Sequence, residues 1–317
     1  MVFLTAIESV LSILLLISLG FLLGYKQYFS ADFAENISKW IMNIALPASI
    51  FTAVLNYLSL DKLLALSEGL VYGAIAIILG YVLAWLLVKV LKVRAGRRGV
   101  FINTIVNANT IFIGLPLNIA LFGEVSMPYF LVYYVLNTIS TWTFGVYLIS
   151  IDSMEKQNKK HQFDWHKLLP APLMGFLVAL VFLFASIPVP KFIFSSLQYV
   201  GATVTPLSLL YIGLTLYRAG LASIRFDKDT VAALLGKFVL SPLIMLTVIL
   251  LGRHHFPLNY LEEQTLIIQS AVSALAVLPI LANEAKGDVP FATNVVTAST
   301  VLFIIVVPIV DGLLQFL

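Results

Sequence analysis

The sequence predicts an all-α membrane protein: ten transmembrane helices in two inverted five-helix repeats, with helices four and nine broken and crossed. Three observations carry that prediction. The chain is 60% hydrophobic and 11% charged, with a mean hydropathy of +1.00, whereas a soluble domain carries about a quarter charged residues. Its apolar residues gather into ten segments of membrane length. Two proline-bearing stretches also recur about half a chain apart.

The segments lie near 5–25, 36–57, 64–91, 100–122, 128–151, 168–187, 194–217, 230–252, 265–283 and 291–316. A hydrocarbon core about 30 Å thick needs about 20 apolar residues per helix. The first segment follows Met1-Val-Phe-Leu-Thr-Ala-Ile-Glu8, which lacks the basic region and cleavage site of a signal peptide, so it is expected to stay as a membrane helix. Connections are short except for the polar stretch 152–167, which divides the chain into 1–151 and 168–317. Five helices per half is an odd number, so the second half enters the membrane from the opposite side and the repeats are inverted.

Basic residues set the orientation. Lys26, Lys39, Lys89, Lys92, Arg94, Arg97, Arg98, Lys156, Lys159, Lys160, Lys167, Arg218, Arg225, Lys228 and Lys286 flank alternate loops, against Lys62, Lys191 and Arg253 on the others. Basic loops stay cytoplasmic, so in a plasma membrane both termini are expected outside the cell and the 152–167 loop inside it. Topology accounts for these charges, although they also suit contact with anionic membrane lipids. A net charge of +3 is too small to suggest nucleic acid.

The repeat locates the site. Asn107-Ala-Asn-Thr-Ile-Phe-Ile-Gly-Leu-Pro116 aligns with Ser270-Ala-Val-Ser-Ala-Leu-Ala-Val-Leu-Pro279, and Leu46-Pro47-Ala-Ser49 with Thr205-Pro206-Leu-Ser208. Proline removes a helical hydrogen bond and clashes with the preceding turn, so each segment is expected to break at mid-depth. Interrupted segments in matching halves point to the substrate site of a secondary transporter. Asn107, Asn109, Thr110 and Pro116 in the fourth segment, with Ser270, Ser273 and Pro279 in the ninth, are the candidate binding residues. Where two half-helix N-termini face each other, their partial charges favour an anion. Ser49, Thr205 and Ser208 are candidate lining residues; the alternative reading of the prolines beside them is a simple kink. Lys237 lies well inside a span and is expected to face the bundle, as partner to an acid or to the substrate anion. Glu68 is the candidate coupling acid. Glu8 and Asp311 belong to the interface.

Enzyme chemistry is not expected. There is no cysteine, no Gly-x-x-x-x-Gly-Lys loop and no Gly-x-Ser-x-Gly elbow. His161, His166, His254 and His255 fall in loops without metal-ligand spacing, so neither cofactor nor metal is expected.

At its two proline motifs the chain resembles the auxin efflux carrier family, which includes plant auxin carriers and bacterial organic-acid permeases. The matching residues are Leu46-Pro-Ala-Ser-Ile-Phe51, Asn109-Thr-Ile-Phe-Ile-Gly-Leu-Pro-Leu117, Leu278-Pro-Ile-Leu-Ala-Asn-Glu284 and the Lys237 to Pro242 segment. The resemblance implies a scaffold domain, a transport domain with crossed helices four and nine, elevator-like alternating access and a homodimer. It implies that Asn109 contacts the substrate carboxylate. The central loop is much shorter than in plant members, and Ser270, Ser273 and Val277 stand where an amide-bearing motif is expected. The Asn43 to Phe51 run is most similar to malate permeases, so malate is the expected substrate. The alternatives are efflux of an auxin-like monocarboxylate and, from another class, a membrane sensor.

Overall fold

A computed structural model describes residues 2–30, 32–152, 171–220 and 224–314, with the side chains of 2–10 and 60–67 outside the description. The expected central loop, with His161, His166 and its lysines, lies outside the described residues. So do the side chains of Glu8 and Lys62.

Helix dominates. In chain order the elements are α1 (Val2–Tyr25), α2 (Phe33–Tyr57), α3 (Leu60–Val90), α4 (Arg98–Val106), α5 (Leu115–Phe122), α6 (Met127–Ser140) and α7 (Val146–Ile151). After the undescribed loop come α8 (Ala171–Phe184), α9 (Lys191–Ala202), α10 (Val204–Ala219), α11 (Lys228–Gly252), α12 (Tyr260–Ser270), α13 (Leu278–Glu284) and α14 (Val289–Leu314). No strand occurs among the described residues. Among the described residues, six largely helical stretches are long and apolar enough to cross a bilayer: Phe33–Tyr57, Glu68–Val90, Arg98–Phe122, Lys191–Ala219, Lys228–Gly252 and Val289–Leu314. Shorter apolar helices cover Leu11–Tyr25 and Ala171–Phe184. The protein is therefore an all-α, multi-pass membrane protein.

Proline behaves differently from the expectation that every proline segment breaks. Phe33–Tyr57 stays helical through Pro47, and Lys228–Gly252 through Pro242. The reason is a five-residue π turn just before each proline: Ile41–Ala45 precedes Pro47, Thr110–Gly114 precedes Pro116, and Gly236–Leu240 precedes Pro242. Leu46 N–H donates to the Ile41 carbonyl and Ser241 N–H to the Gly236 carbonyl. That one-residue-wider turn relaxes the carbonyls a proline ring would otherwise strike. True breaks occur in only two of these segments, at Asn107–Asn109 and between Ser270 and Leu278. Thr203 adds a one-residue turn between α9 and α10, with Pro206 in the first turn of α10.

The chain condenses into two compact units, and each draws on both halves of the sequence. Unit one holds residues 1–67, 111–132 and 169–218. Here small residues bring helices into backbone contact, as membrane packing favours. A Cβ at Gly213 of α10 would lie 2.1 Å from the Ile17 carbonyl oxygen of α1, so no larger residue fits there.

Unit two holds 68–110, 133–168 and 219–317. Its core is built around α4, in which every residue from Gly99 to Val106 is buried. At one end of this unit Arg97, just before α4, ties three helix starts together. Its guanidinium reaches Asp227 at 2.6 Å, Asp288 at 2.6 Å and Asp229 at 3.4 Å. Asp227 caps α11 by accepting from Thr230 N–H, and Asp288 accepts from Phe291 N–H at the start of α14. Burial alone would raise the Asp227 carboxyl, but hydrogen bonds from Arg97 and Thr230, with the Arg97 charge, hold it below its ordinary value. The same cluster draws together loops that the basic-residue pattern assigns to one side: Asp288 N–H donates to the Gly96 carbonyl, and Gly99 N–H to Asp152.

Candidate functional site

The fourth segment stops being helical at Asn107, whose backbone is extended (φ −98°, ψ 149°). A helix that ends inside protein leaves its last carbonyls without intrahelical donors. Here surrounding residues supply partners for the backbone of the break itself. The Asn137 side chain of α6 clamps Ala108 from both sides, accepting its N–H at 2.8 Å and donating to its carbonyl at 3.0 Å. Lys237 Nζ donates to the Asn107 carbonyl at 3.1 Å. Thr110 N–H turns back to the Ala108 carbonyl, and the chain re-enters helix through the π turn.

The Asn107 side chain is engaged on every side within the protein. Its Nδ2 donates to Tyr81 Oη at 3.1 Å and to Asn103 Oδ1 at 2.8 Å, while Oδ1 accepts from Ser140 at 2.7 Å. Asn103 continues the chain by donating to the Gly99 and Gly145 carbonyls. This buried amide network anchors the break to α3, α6 and the turn at Gly145. A buried network of this kind rigidifies when its members are satisfied.

The second break is stitched in the same manner. Ser270 closes α12 with its hydroxyl on the Ile267 carbonyl, and Ala274 N–H donates to the Ser299 hydroxyl of α14. The two breaks meet: Asn109 N–H donates to the Ser273 carbonyl at 2.9 Å. Asn109 is 7% exposed and Ser273 fully buried. The Ser273 hydroxyl has no hydrogen-bond partner among the described residues, and a buried polar group in that state costs free energy.

Lys237 is fully buried. Among the described residues no acid pairs with it, and its ammonium donates instead to the break itself, at the Asn107 carbonyl. Of the predicted residues, unit two thus brings together Asn107, Asn109, Thr110, Ser270, Ser273 and Lys237. Pro279 lies in the first turn of α13, where its missing N–H costs nothing. Glu68 is half-buried elsewhere on unit two, near enough to Tyr72 and Glu262 to act on them electrostatically.

Unit one holds the others. Ser49, Thr52, Asn56, Glu124, Gln198 and Thr205 line a cavity of about 400 Å³. Ser208 is fully buried, its hydroxyl without a hydrogen-bond partner among the described residues, and Pro116 is buried in α5.

Several residues of the site escaped sequence reasoning. Asn103, Asn137, Ser140, Tyr81 and Ser299 hold the breaks open, and five asparagines between 103 and 137 were the available signal. A ninth segment that begins at 265 leaves Glu262 outside it. The helix starts at Tyr260, capped by Asn259 accepting from Glu262 N–H, and leaves Glu262 2% exposed.

Comparison with known proteins agrees with this architecture. A family model described as membrane transport protein matches residues 5–310. A protein named uncharacterized transporter from Methanothermobacter thermautotrophicus is 23% identical over 312 residues, covering 98% of each chain. An uncharacterized transporter of Methanocaldococcus jannaschii is 22% identical over 304 residues, covering 95% of this chain and 96% of its own. A match across nearly the whole length is more than a shared motif: this chain belongs to the membrane transport protein family, that of the auxin efflux carriers.

Proposed function

We propose that the protein is a secondary transporter for a small organic anion, malate being the leading candidate, working in the plasma membrane by elevator-like alternating access. The observation that carries this reading is the meeting of two broken helices at the hydrogen bond from Asn109 N–H to the Ser273 carbonyl, beside a buried lysine. Discontinuous helices present backbone donors and acceptors at the depth where a substrate must shed water. Half-helices that restart at Thr110 and Leu278 direct N–H groups toward an anion. Asn109, Thr110 and Ser273 are the direct substrate contacts in this reading, and Asn107, with its side chain engaged by the protein, shapes the break. The ten-span topology, its inverted repeat and outward-facing termini belong to the same proposal, supported by the alternating basic loops. An elevator requires two bodies, and the chain supplies two compact units.

Uptake of labelled malate into proteoliposomes tests it. Accumulation or counterflow above that of empty vesicles is the expected result. Its absence with folded protein discards malate, and a panel of other carboxylates then identifies the anion.

A further inference from the structure

Lys237 is an unusual thing to bury in a membrane protein. An ammonium in hydrocarbon costs at least a few kcal/mol unless something offsets it, and no carboxylate does so among the described residues. What it meets is the Asn107 carbonyl at 3.1 Å, one residue beyond the end of α4. That is the negative end of a helix dipole, whose last carbonyls have no full set of donors within the helix. Unwound carbonyls and half-helix C-termini are where transporters with broken helices hold a free coupling cation.

We infer that Lys237 is a tethered cation: its ammonium does at the first break what a bound monovalent ion would do, holding the Asn107 carbonyl and keeping the break in its binding shape. This rests on the transporter reading. It is a positioning role, because the ammonium acts on the substrate contacts through the backbone of Asn107 rather than by touching the anion. The π turn Gly236–Leu240 is part of the device, since the widened helix carries Lys237 where the break passes. Gly236 permits that approach, as a Cβ there would lie 2.5 Å from the Ile105 side chain of α4.

Shortening the side chain then opens a site for a free cation. Lys237→Ala in choline medium is expected to bind malate about ten- to a hundredfold more weakly than the parent, the loss of one charged hydrogen bond. Ammonium or sodium ions restore its binding and raise its melting temperature, while the parent melts alike in choline, sodium and ammonium media. Lys237→Met separates charge from packing. It fills the space without charge, so it is expected to bind as weakly as the alanine variant and to gain nothing from ammonium.

Malate binding by folded Lys237→Ala that equals the parent in choline overturns the inference. So does binding that stays weak whatever cation is added, or parent-like binding by Lys237→Met. The melting response to cations needs no substrate. A parent that ignores malate beside an alanine variant stabilised by ammonium therefore sinks the malate reading and leaves the tethered cation standing.

Discussion

Two asparagines two positions apart divide the work at the first break. Asn109 presents its backbone N–H to Ser273, and in the proposed function its amide faces the substrate carboxylate. Removing one donor from a site where water is scarce costs about 1–3 kcal/mol, or one to two decades in affinity. Asn109→Ala is therefore expected to weaken malate binding while the protein keeps its melting temperature, and Asn109→Asp to be worse because a fixed carboxylate competes for the half-helix N-termini. Unchanged affinity in folded Asn109→Ala would falsify the contact. Asn107 is expected to behave in the opposite sense. Its side chain joins Tyr81, Asn103 and Ser140, so Asn107→Ala strands buried partners at a cost of about 1–3 kcal/mol. Thermal melting in detergent checks this, and a variant that melts like the parent argues against a structural anchor.

The elements show why a π turn and a close glycine matter as much as the named polar residues. Gly145 lies in the π turn Thr141–Gly145, and its carbonyl accepts from Asn103. A Cβ there would fall 2.3 Å from Asn103 Oδ1, the atom that accepts from Asn107. Gly145→Ala is expected to lower stability by about 1–3 kcal/mol through overpacking and to disturb malate affinity as well, because the displaced amide holds the break. Paired melting and binding curves on that variant decide it, and loss of neither property removes Gly145 from the support of the site. Proline, by contrast, reports position imperfectly. Pro47 and Pro242 sit in continuous helices because a π turn absorbs them, and the breaks lie upstream of Pro116 and Pro279, at residues whose neighbours supply replacement hydrogen bonds.

At the scale of the whole molecule, the ion-pair cluster that stands out among the described residues is the Arg97 hub, which joins the starts of α4, α11 and α14 within unit two. Arg97 and Asp229 side chains are only 13% and 6% exposed, so removing the guanidinium leaves partly buried carboxylates without a partner. Arg97→Ala is expected to cost about 3 kcal/mol, read as a lowered melting temperature, with Arg97→Lys intermediate because an ammonium cannot reproduce the fork. The acid side follows from the depressed Asp227 carboxyl. Its contribution is complete above the unfolded carboxylate value of about 3.9 and is lost as pH falls through the lower folded value. The melting temperature of the parent should therefore fall on acidification below about pH 4, and Asp227→Asn should lack that part of the fall. Identical acid profiles for the two proteins would remove Asp227 from the linkage.

Composition and periodicity were enough to determine a multi-pass helical membrane protein, since 60% apolar residues gathered into long runs leave backbone groups no partners in lipid except those of their own helix. The recurrence of Asn107–Pro116 at Ser270–Pro279 located both breaks to within a few residues, because a proline removes helical hydrogen bonds and small polar side chains beside it can supply replacements. Tertiary structure decided what local sequence could not. The meeting of Asn109 with Ser273, the seating of Lys237 on the Asn107 carbonyl and the engagement of Asn107 by Tyr81 and Ser140 join residues from 26 to 164 positions apart. A side chain such as Arg97 reads in sequence as one more basic loop residue. Only packing reveals that its charge is committed to Asp227, Asp229 and Asp288, because ion pairing depends on where three helix starts converge and leaves no mark on the spacing of any one of them.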